Sequence, residues 1–509
     1  MDSTSWSWVN WLVVALYLIG VLGFGFLFTK SKTKSSKEYF LGGARIPAWV
    51  SGLSIYSTML SSISYIALPA SIFRNGLIVG TASLGTIPLA FWVVRYVIPV
   101  FRRVDALTGY EYLEKRFKSR FFRYVGALAF SLFHLARIGL VLYLPAIALM
   151  IIFPGTSVIT LTIVTGLVCV AYTTASGIAG VAWLDAIQAI ILLVGMLIMI
   201  VVAFAHIPEI GLWGALQEQG KAYSANNFTF RLAGDSIWAL VIGHGIFSSV
   251  YSYIGSQDVI QRYSITPTEQ EAKKAVLFNV PLLFVSVVMF TLMGAALIIF
   301  FNYSGNTLPE DISGNAIVPY FIFKFLPVGL SGLVIVGILA ATQSTVSSSI
   351  NSLATCVAND IVCPNSSDDK FKVVVGLVAS AGAGLLGTAL AYYLILEGQG
   401  DAFKLFAGLT GLFGGPLAAI FLLALFCDRA GKEAGLACLL SAIAFSFYLA
   451  NPLKLGYTPI EVSPFLNALA IIGVGLVAGI IASFIFPAPK KESLQNLTYS
   501  SIKSPNLTK

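Results

Sequence analysis

The sequence predicts an all-α polytopic membrane protein, and three observations carry that prediction. The chain has 509 residues, of which 57% are hydrophobic and 11% are charged, whereas roughly 25% of residues are charged in an ordinary soluble domain. The apolar residues form continuous runs of about 20, the length that an α-helix needs to cross the hydrocarbon core. These runs do not alternate as the strands of an outer-membrane barrel do. The composition also excludes a disordered chain and a disulfide scaffold.

Windows of this length define 13 predicted spans, which are numbered in chain order. They cover residues 9–29, 47–71, 77–101, 124–153, 156–176, 185–206, 236–256, 276–302, 326–358, 371–394, 401–427, 433–452 and 465–487. The second and seventh spans are the least regular, because Gly and Ser interrupt both of them. The tail at 488–509 is rich in Ser, Asn and Lys, and we expect it to be disordered.

The distribution of Lys and Arg predicts the orientation. If the N-terminus is outside, the inner segments and their flanks carry 23 of the 31 Lys and Arg residues, and the outer segments carry six. Because cytoplasmic loops are enriched in Lys and Arg, we expect a multi-pass protein of the cell membrane with its C-terminus in the cytoplasm. This excess of Lys and Arg on the inner side of the lipid bilayer accounts for the net charge of +8, so no nucleic-acid partner is needed to explain it.

The second span carries a cluster of hydroxyl side chains where lipid offers no hydrogen-bond partners. Six Ser and Thr residues lie between Ser54 and Ser64. One interpretation is that they bond to their own helix or pack as small residues against neighbouring helices. The other is a broken helix whose unwound backbone binds a solute at the middle of the membrane.

A second interrupted span favours the broken-helix interpretation. The segment from Gly243 to Gln257 contains seven Gly and Ser residues, and it opens the second half of the chain. Inverted halves that each begin with an interrupted helix are typical of secondary transporters. The predicted divisions are a first flanking helix and basic inner loop at 1–46, five-helix repeats at 47–206 and 207–427, two C-terminal flanking helices at 428–487, and the tail.

The ninth span presents hydroxyl oxygens on a common helical face. Its Ser and Thr residues at successive helical offsets are Ser344, Thr345, Ser347 and Ser348. A hard monovalent cation such as Na⁺ prefers neutral oxygens with at most one carboxylate, by analogy with other hard cations. A Ser-rich packing helix is the alternative, which explains the small side chains but not their density.

Two ionisable residues in or beside the spans need partners. Arg137 lies near the middle of the fourth span, where an Arg costs on the order of 2.5–3.5 kcal/mol on insertion scales. The carboxylate of an acidic substrate would pair with it, although bonding to helix carbonyls is the alternative. Asp185 opens the sixth span, as either a helix-start carboxylate or a cation ligand.

Other classes of function lack residues that could carry them. The three His residues have no metal-ligand spacing, and the sequence contains neither a P-loop nor a nucleophile elbow. We therefore expect no enzyme, and uphill transport would take its energy from an ion gradient. A cation channel would need a continuous polar pore, whereas the polar residues here cluster at one depth.

Five short motifs make the sequence resemble the sodium:solute symporter family over nearly its whole length. They are Glu38-Tyr-Phe-Leu-Gly-Gly43, Glu111-Tyr-Leu-Glu-Lys-Arg-Phe117, Trp183-Leu-Asp185-Ala-Ile-Gln188, Gln257-Asp-Val-Ile-Gln261-Arg262 and Asn351-Ser-Leu-Ala-Thr355. The resemblance implies a LeuT-type core of ten helices in two inverted halves, with flanking helices, and Na⁺-driven alternating access.

The resemblance also implies the Na⁺ ligands. The main sodium site of the family corresponds to the backbone carbonyls of Ser57, Leu60 and Ala341 with the hydroxyls of Ser344 and Thr345. Some members have a second sodium site, whose pattern is similar to Asp185 with Ser344, Ser347 and Ser348. The coupling ion is therefore Na⁺, as one or two ions, and the resemblance leaves the oligomeric state open.

Within the family, the second span and Arg137 are most similar to bacterial sialic acid symporters. The positions matching their substrate site are Met59, Ser61, Ser64, Arg137 and Phe247. The implied function is import of a small carboxylated solute, most similar to sialic acid. The third span lacks the Phe and Gln expected in that pocket, which keeps a sugar, proline or a monocarboxylate as the alternative solute.

Overall fold

The computed structural model describes most of the chain as helix. It describes residues 7–29, 36–104, 106–152, 157–207, 211–310, 312, 314–364, 366, 368–397, 401–451 and 458–503. Within these ranges the elements are helices and connecting turns, with no strand. The all-α fold class is confirmed. Helices dominate because lipid cannot hydrogen-bond the backbone, so each apolar run must satisfy its own N–H and C=O groups.

The helices follow the predicted runs closely. The α-helices are Trp8–Thr29, Ser36–Leu41, Ala48–Met59, Leu68–Asn75, Thr86–Tyr96, Ile98–Phe101, Gly109–Phe117, Arg120–Ile152, Val158–Ala205, Leu212–Glu218, Gln257–Ser264, Glu269–Tyr303, Ile317–Phe325, Leu330–Cys356, Asp369–Glu397, Ala402–Leu409, Gly415–Phe426, Lys432–Ala450, Asn467–Ile485 and Tyr499–Lys503. Wider π-helical turns occupy Ile63–Ala67, Trp238–Ser248, Tyr251–Gly255, Val357–Val362 and Thr410–Gly414. Short 3₁₀ segments are Gly42–Ala44, Leu77–Ser83, Ala225–Phe228, Gly314–Ala316, Pro464–Leu466 and Lys491–Leu494.

The predicted count of 13 spans is not confirmed. Ten helices in the described ranges are long and apolar enough to cross a membrane, and one bent pair raises the number to 11. The fifth predicted span, 156–176, corresponds to the first part of the helix Val158–Ala205, which is separated from the second part by a kink at Gly177, where φ is 58°. The seventh is divided into π-helical segments, of which the longer has 11 residues.

The second span is broken, as predicted. The helix Ala48–Met59 ends where Leu60 adopts an extended backbone at φ −100° and ψ 137°. The chain then continues through Ile63–Ala67 and Leu68–Asn75, and the two parts are bent by 62°. Pro69 lies in the first turn of the last part, directly after the π-helical turn, and it has no N–H to donate to that turn.

The ninth span forms the centre of the packing. Every residue of the helix Leu330–Cys356 from Val334 onward is buried. It packs against the helices Val158–Ala205 and Arg120–Ile152, and the first part of the second span packs beside it. The hydroxyl-rich face of the ninth span therefore meets the break of the second span inside the protein.

The tail differs from the predicted disorder over its described part, residues 488–503. It contains the 3₁₀ turn Lys491–Leu494 and the helix Tyr499–Lys503. Leu494 is buried, and the hydroxyl of Tyr112 donates to the carbonyl of Leu497 at 2.9 Å. The aromatic ring of Tyr499 also lies against Tyr96 and Phe426. These contacts anchor the described part of the tail to the helices, although its polar composition predicts a free tail.

Candidate functional site

An internal cavity lies beside the break of the second span. Its walls come from the second, third, fourth, seventh, eighth and eleventh spans. Three of the predicted substrate residues, Met59, Ser64 and Arg137, line it. The other two, Ser61 and Phe247, are not among its described lining residues.

Local backbone geometry explains these two differences. The hydroxyl of Ser61 accepts a hydrogen bond from the N–H of Ile63 at 3.2 Å, so it caps the segment after the break. Phe247 lies in the π-helix Trp238–Ser248, whose wider turn changes which residues face inward. Phe247 packs half-buried against the apolar core instead.

The seventh span contributes a polar row that the sequence analysis missed. His244, Ser248, Ser252 and Ser256 recur every four residues and all line the cavity. The spacing is visible in the sequence, but the prediction for this span followed the family resemblance, which pointed to Phe247. The span ends at Ser256, whose extended backbone at φ −96° and ψ 118° separates it from the next helix.

The residues predicted for the main cation site converge where the broken second span meets the ninth. The hydroxyl of Ser344 donates to the carbonyls of Ser57 and Ala341, both at 3.2 Å. The hydroxyl of Thr345 donates to the carbonyl of Leu60 at 3.0 Å. The carbonyls of Ser57 and Leu60 belong to a helix end, where no following turn bonds them.

This donor set fits a hard monovalent cation. It consists of three backbone carbonyls and two hydroxyls, all neutral oxygens, the chemistry that hard cations prefer. The C-terminal end of the helix Ala48–Met59 adds a partial negative charge from its dipole. The hydroxyls that now donate to the carbonyls can rotate and direct their lone pairs to an ion.

The predicted second cation site contains a guanidinium. Asp185 Oδ2 accepts hydrogen bonds from Ser54 at 2.7 Å, from Arg262 at 2.9 Å and from Ser348 at 3.2 Å. Asp185 and Arg262 are fully buried. Ser347 instead donates to the carbonyl of Ser344 at 3.1 Å. The structure therefore brings Asp185 and Ser348 together, and a fixed positive charge already pairs with them.

Arg137 also has a partner that the sequence analysis missed. Its Nη1 donates to Asp258 Oδ2 at 3.1 Å, and its Nη2 donates to the carbonyl of Thr58 at 2.6 Å. Its guanidinium carbon lies 5.8 Å from the centre of the Phe406 ring. Arg137 therefore connects the fourth span to the break of the second span and to the helix Gln257–Ser264, which follows the seventh span.

Comparison with known proteins identifies relatives of the whole chain. The sodium:solute symporter family matches residues 39–441 of the chain. The sodium/sialic acid symporter NanT of Aliivibrio fischeri is 33% identical over 465 residues, which cover 90% of each protein. A solved outward-open, substrate-bound structure of a Na⁺-coupled sialic acid symporter superposes with a TM-score of 0.86 and 29% identity, covering 95% of this chain and 99% of that one.

A more distant likeness concerns the fold alone. The nucleobase-cation-symport transporter Mhp1 superposes with a TM-score of 0.56 at 15% identity, covering 90% of this chain and 97% of that one. The resemblance indicated by the sequence and the LeuT-type fold class are thereby confirmed. The chain belongs to the sodium:solute symporter family, whose members are transporters rather than enzymes.

Proposed function

We propose that this protein is a Na⁺-coupled symporter that imports sialic acid by alternating access. The observation that carries the proposal is the shared position of the two sites. Ser57 supplies a carbonyl to the cation site, and the adjacent Thr58 carbonyl accepts from Arg137 at 2.6 Å. A cation and a carboxylated solute would therefore act on the same unwound backbone.

Na⁺ would bind between the carbonyls of Ser57, Leu60 and Ala341 and the hydroxyls of Ser344 and Thr345. Binding there fixes the second span against the ninth. By linkage, a cation that prefers the outward-open arrangement stabilises it, and the substrate in turn raises the affinity for the cation. Closure of the two halves then reopens the site inward.

The acidic substrate would bind against Arg137, with Ser64 and Met59 on the same cavity wall. The polar row from His244 to Ser256 faces this region and offers hydrogen bonds to a polyhydroxylated sugar acid. We propose no direct substrate contact for Ser61 and Phe247 in this arrangement. Ser61 caps the following segment, and Phe247 packs outside the cavity.

A second Na⁺ would use Asp185 with Ser344, Ser347 and Ser348. Two facts favour this position: Asp185 Oδ1 has no hydrogen-bond partner among the described residues, and Ser348 already contacts the same carboxylate. The ion would have to share or displace the guanidinium of Arg262, which occupies the other oxygen.

We further propose how the chain is oriented in the membrane and that its core is an inverted repeat of two five-helix halves. The excess of Lys and Arg, 23 against six, supports an external N-terminus and a cytoplasmic C-terminus. The breaks at Leu60 and Ser256 support inverted halves over 47–206 and 207–427, followed by flanking helices over 428–487.

A thermal-shift screen of the purified protein tests the function. Sialic acids, hexoses and amino acids are each added with and without Na⁺, because a ligand that binds the folded state raises its stability by mass action. We expect N-acetylneuraminate to raise the melting temperature in Na⁺ buffer. A shift with a neutral sugar and none with any sialic acid would contradict the substrate while keeping the symporter.

A further inference from the structure

The charge of Arg137 is already compensated inside the cavity wall. Its Nη1 lies 3.1 Å from Asp258 Oδ2, and the exposed fractions of the two side chains are 8% and 1%. The two residues are 121 positions apart in the sequence. An incoming carboxylate would therefore meet an ion pair rather than a lone cation.

Several groups fix Asp258 as this partner. Its Oδ1 accepts hydrogen bonds from the hydroxyl of Ser256 and from the N–H of Val259 at 2.9 Å. His134 Nε2 lies 3.9 Å from Oδ2. Asp258 also lies in the first turn of the helix Gln257–Ser264, where the helix dipole stabilises an ionised carboxylate.

The charge balance of the cavity follows from this pair. Among the described lining residues, Arg137 and Asp258 are the only ones of the types Asp, Glu, Lys and Arg. Their charges cancel, so an acidic substrate would add an uncompensated negative charge. Such a charge is costly in a site shielded from water.

The proposed cation site is placed to supply the missing positive charge. Its ligand Ser57 is adjacent to Thr58, whose carbonyl accepts the second arm of Arg137. The ligands are neutral oxygens, so a bound Na⁺ would contribute its full charge beside the ion pair. The neighbouring pair Asp185–Arg262 is itself neutral, and Arg262 also donates to the backbone carbonyl of Asp258.

We propose that Asp258 is a positioning residue that neutralises Arg137 and thereby makes binding of the acidic substrate depend on Na⁺. This inference rests on the proposed function, since it takes a carboxylated substrate at Arg137. Without Asp258, Arg137 alone could balance the negative charge of the substrate carboxylate. With it, the substrate binds tightly only after the ion does.

Binding of N-acetylneuraminate to the purified full chain, measured by calorimetry in Na⁺ and in N-methyl-D-glucamine buffer, tests this inference. The measured quantity is the ratio of Kd without Na⁺ to Kd with Na⁺. We expect Asp258→Asn to lower this ratio by about tenfold or more, and Asp258→Glu to keep the wild-type ratio. Asp360→Asn is the matched control, because Asp360 is a buried partner of Arg123 at 2.7 Å that does not line the cavity.

The outcomes separate this inference from the proposed function. A wild-type protein that binds no N-acetylneuraminate in Na⁺ overturns the function and the inference together. Wild-type binding that needs Na⁺, with an unchanged ratio in Asp258→Asn, overturns the role of Asp258 alone. If Asp258→Asn does not fold, the wild-type chain is measured instead with the neutral methyl ester of N-acetylneuraminate. If the ratio of Kd without Na⁺ to Kd with Na⁺ is as large for the ester as for the free acid, the inference is overturned.

Discussion

The hydroxyl of Ser344 on the ninth span donates a hydrogen bond to the carbonyl of Ser57 on the broken second span, at 3.2 Å. The two residues are 287 positions apart, and the contact joins the second span to the ninth. Because the proposed Na⁺ site uses the same oxygens, ion binding and the packing of the second span against the ninth depend on one contact.

Removal of this hydroxyl is expected to weaken Na⁺ binding. Ser344→Ala takes away one of five proposed ligands, and we expect the Na⁺ concentration for half-maximal transport to rise by roughly tenfold or more. Na⁺ titration of uptake in proteoliposomes measures it. Thr342→Val is the matched control, because Thr342 bonds within its own helix, to the carbonyl of Ile338 at 2.8 Å. Equal Na⁺ dependence in the two variants would contradict the site.

Replacement of Arg137 is expected to abolish uptake of an acidic substrate. Arg137→Lys keeps a positive charge but lacks the planar fork that reaches Asp258 and Thr58 together, so it should retain little activity. Arg137→Ala should retain none. Uptake of N-acetylneuraminate measures both, with Arg95→Ala as a control, because Arg95 is an exposed arginine on the third span. Unchanged affinity in Arg137→Ala would refute the substrate contact.

The buried pair of Arg262 and Asp185 is expected to stabilise the fold as a unit. Arg262→Met leaves the Asp185 carboxylate buried without its partner, which costs about 3–5 kcal/mol in comparable pairs. We expect a lower melting temperature for this variant and a partial recovery when Asp185→Leu is added. If Asp185 is a second Na⁺ ligand, Na⁺ should stabilise Arg262→Met more than the wild type. An identical Na⁺ effect in both would argue against that second ion.

The close approach of the third and seventh spans is expected to require glycine. A Cβ on Gly85 would lie 2.1 Å from the carbonyl oxygen of Val241 and 2.9 Å from the carbonyl carbon of Gly245. Gly85→Ala should therefore destabilise the protein by about 1–3 kcal/mol. Gly473→Ala is the control, because a Cβ there meets nothing within 4 Å. Thermal unfolding in detergent compares them, and equal melting temperatures would contradict the packing.

The structure brings together the five residues that the family resemblance implies for the main cation site. Ser57, Leu60, Ala341, Ser344 and Thr345 all lie at the predicted junction. The ligand positions come from the resemblance to the family, whereas the break of the second span is visible as a local cluster of hydroxyl residues. Local signals of this kind survive in a sequence because they do not depend on distant partners.

The partners of the buried arginines were not predictable in the same way. Asp258 and Arg262 follow the seventh span in sequence, so their charges were assigned to an inner loop, whereas the structure buries both. The break at Ser256 returns this segment into the protein core. Within the π-helix Trp238–Ser248, Ser248 lines the cavity and Phe247 is not among its described lining residues. Such changes of helical period have no clear signature in hydrophobic periodicity.

Uptake of labelled N-acetylneuraminate into proteoliposomes tests Na⁺-coupled transport most directly. The protein is reconstituted with K⁺ inside, and an inward Na⁺ gradient is compared with K⁺ on both sides at the same ionic strength. We expect N-acetylneuraminate to accumulate above its external concentration with the Na⁺ gradient, and we expect this accumulation to collapse when the gradient is dissipated. Equal uptake under both conditions, or none with the Na⁺ gradient, would contradict it.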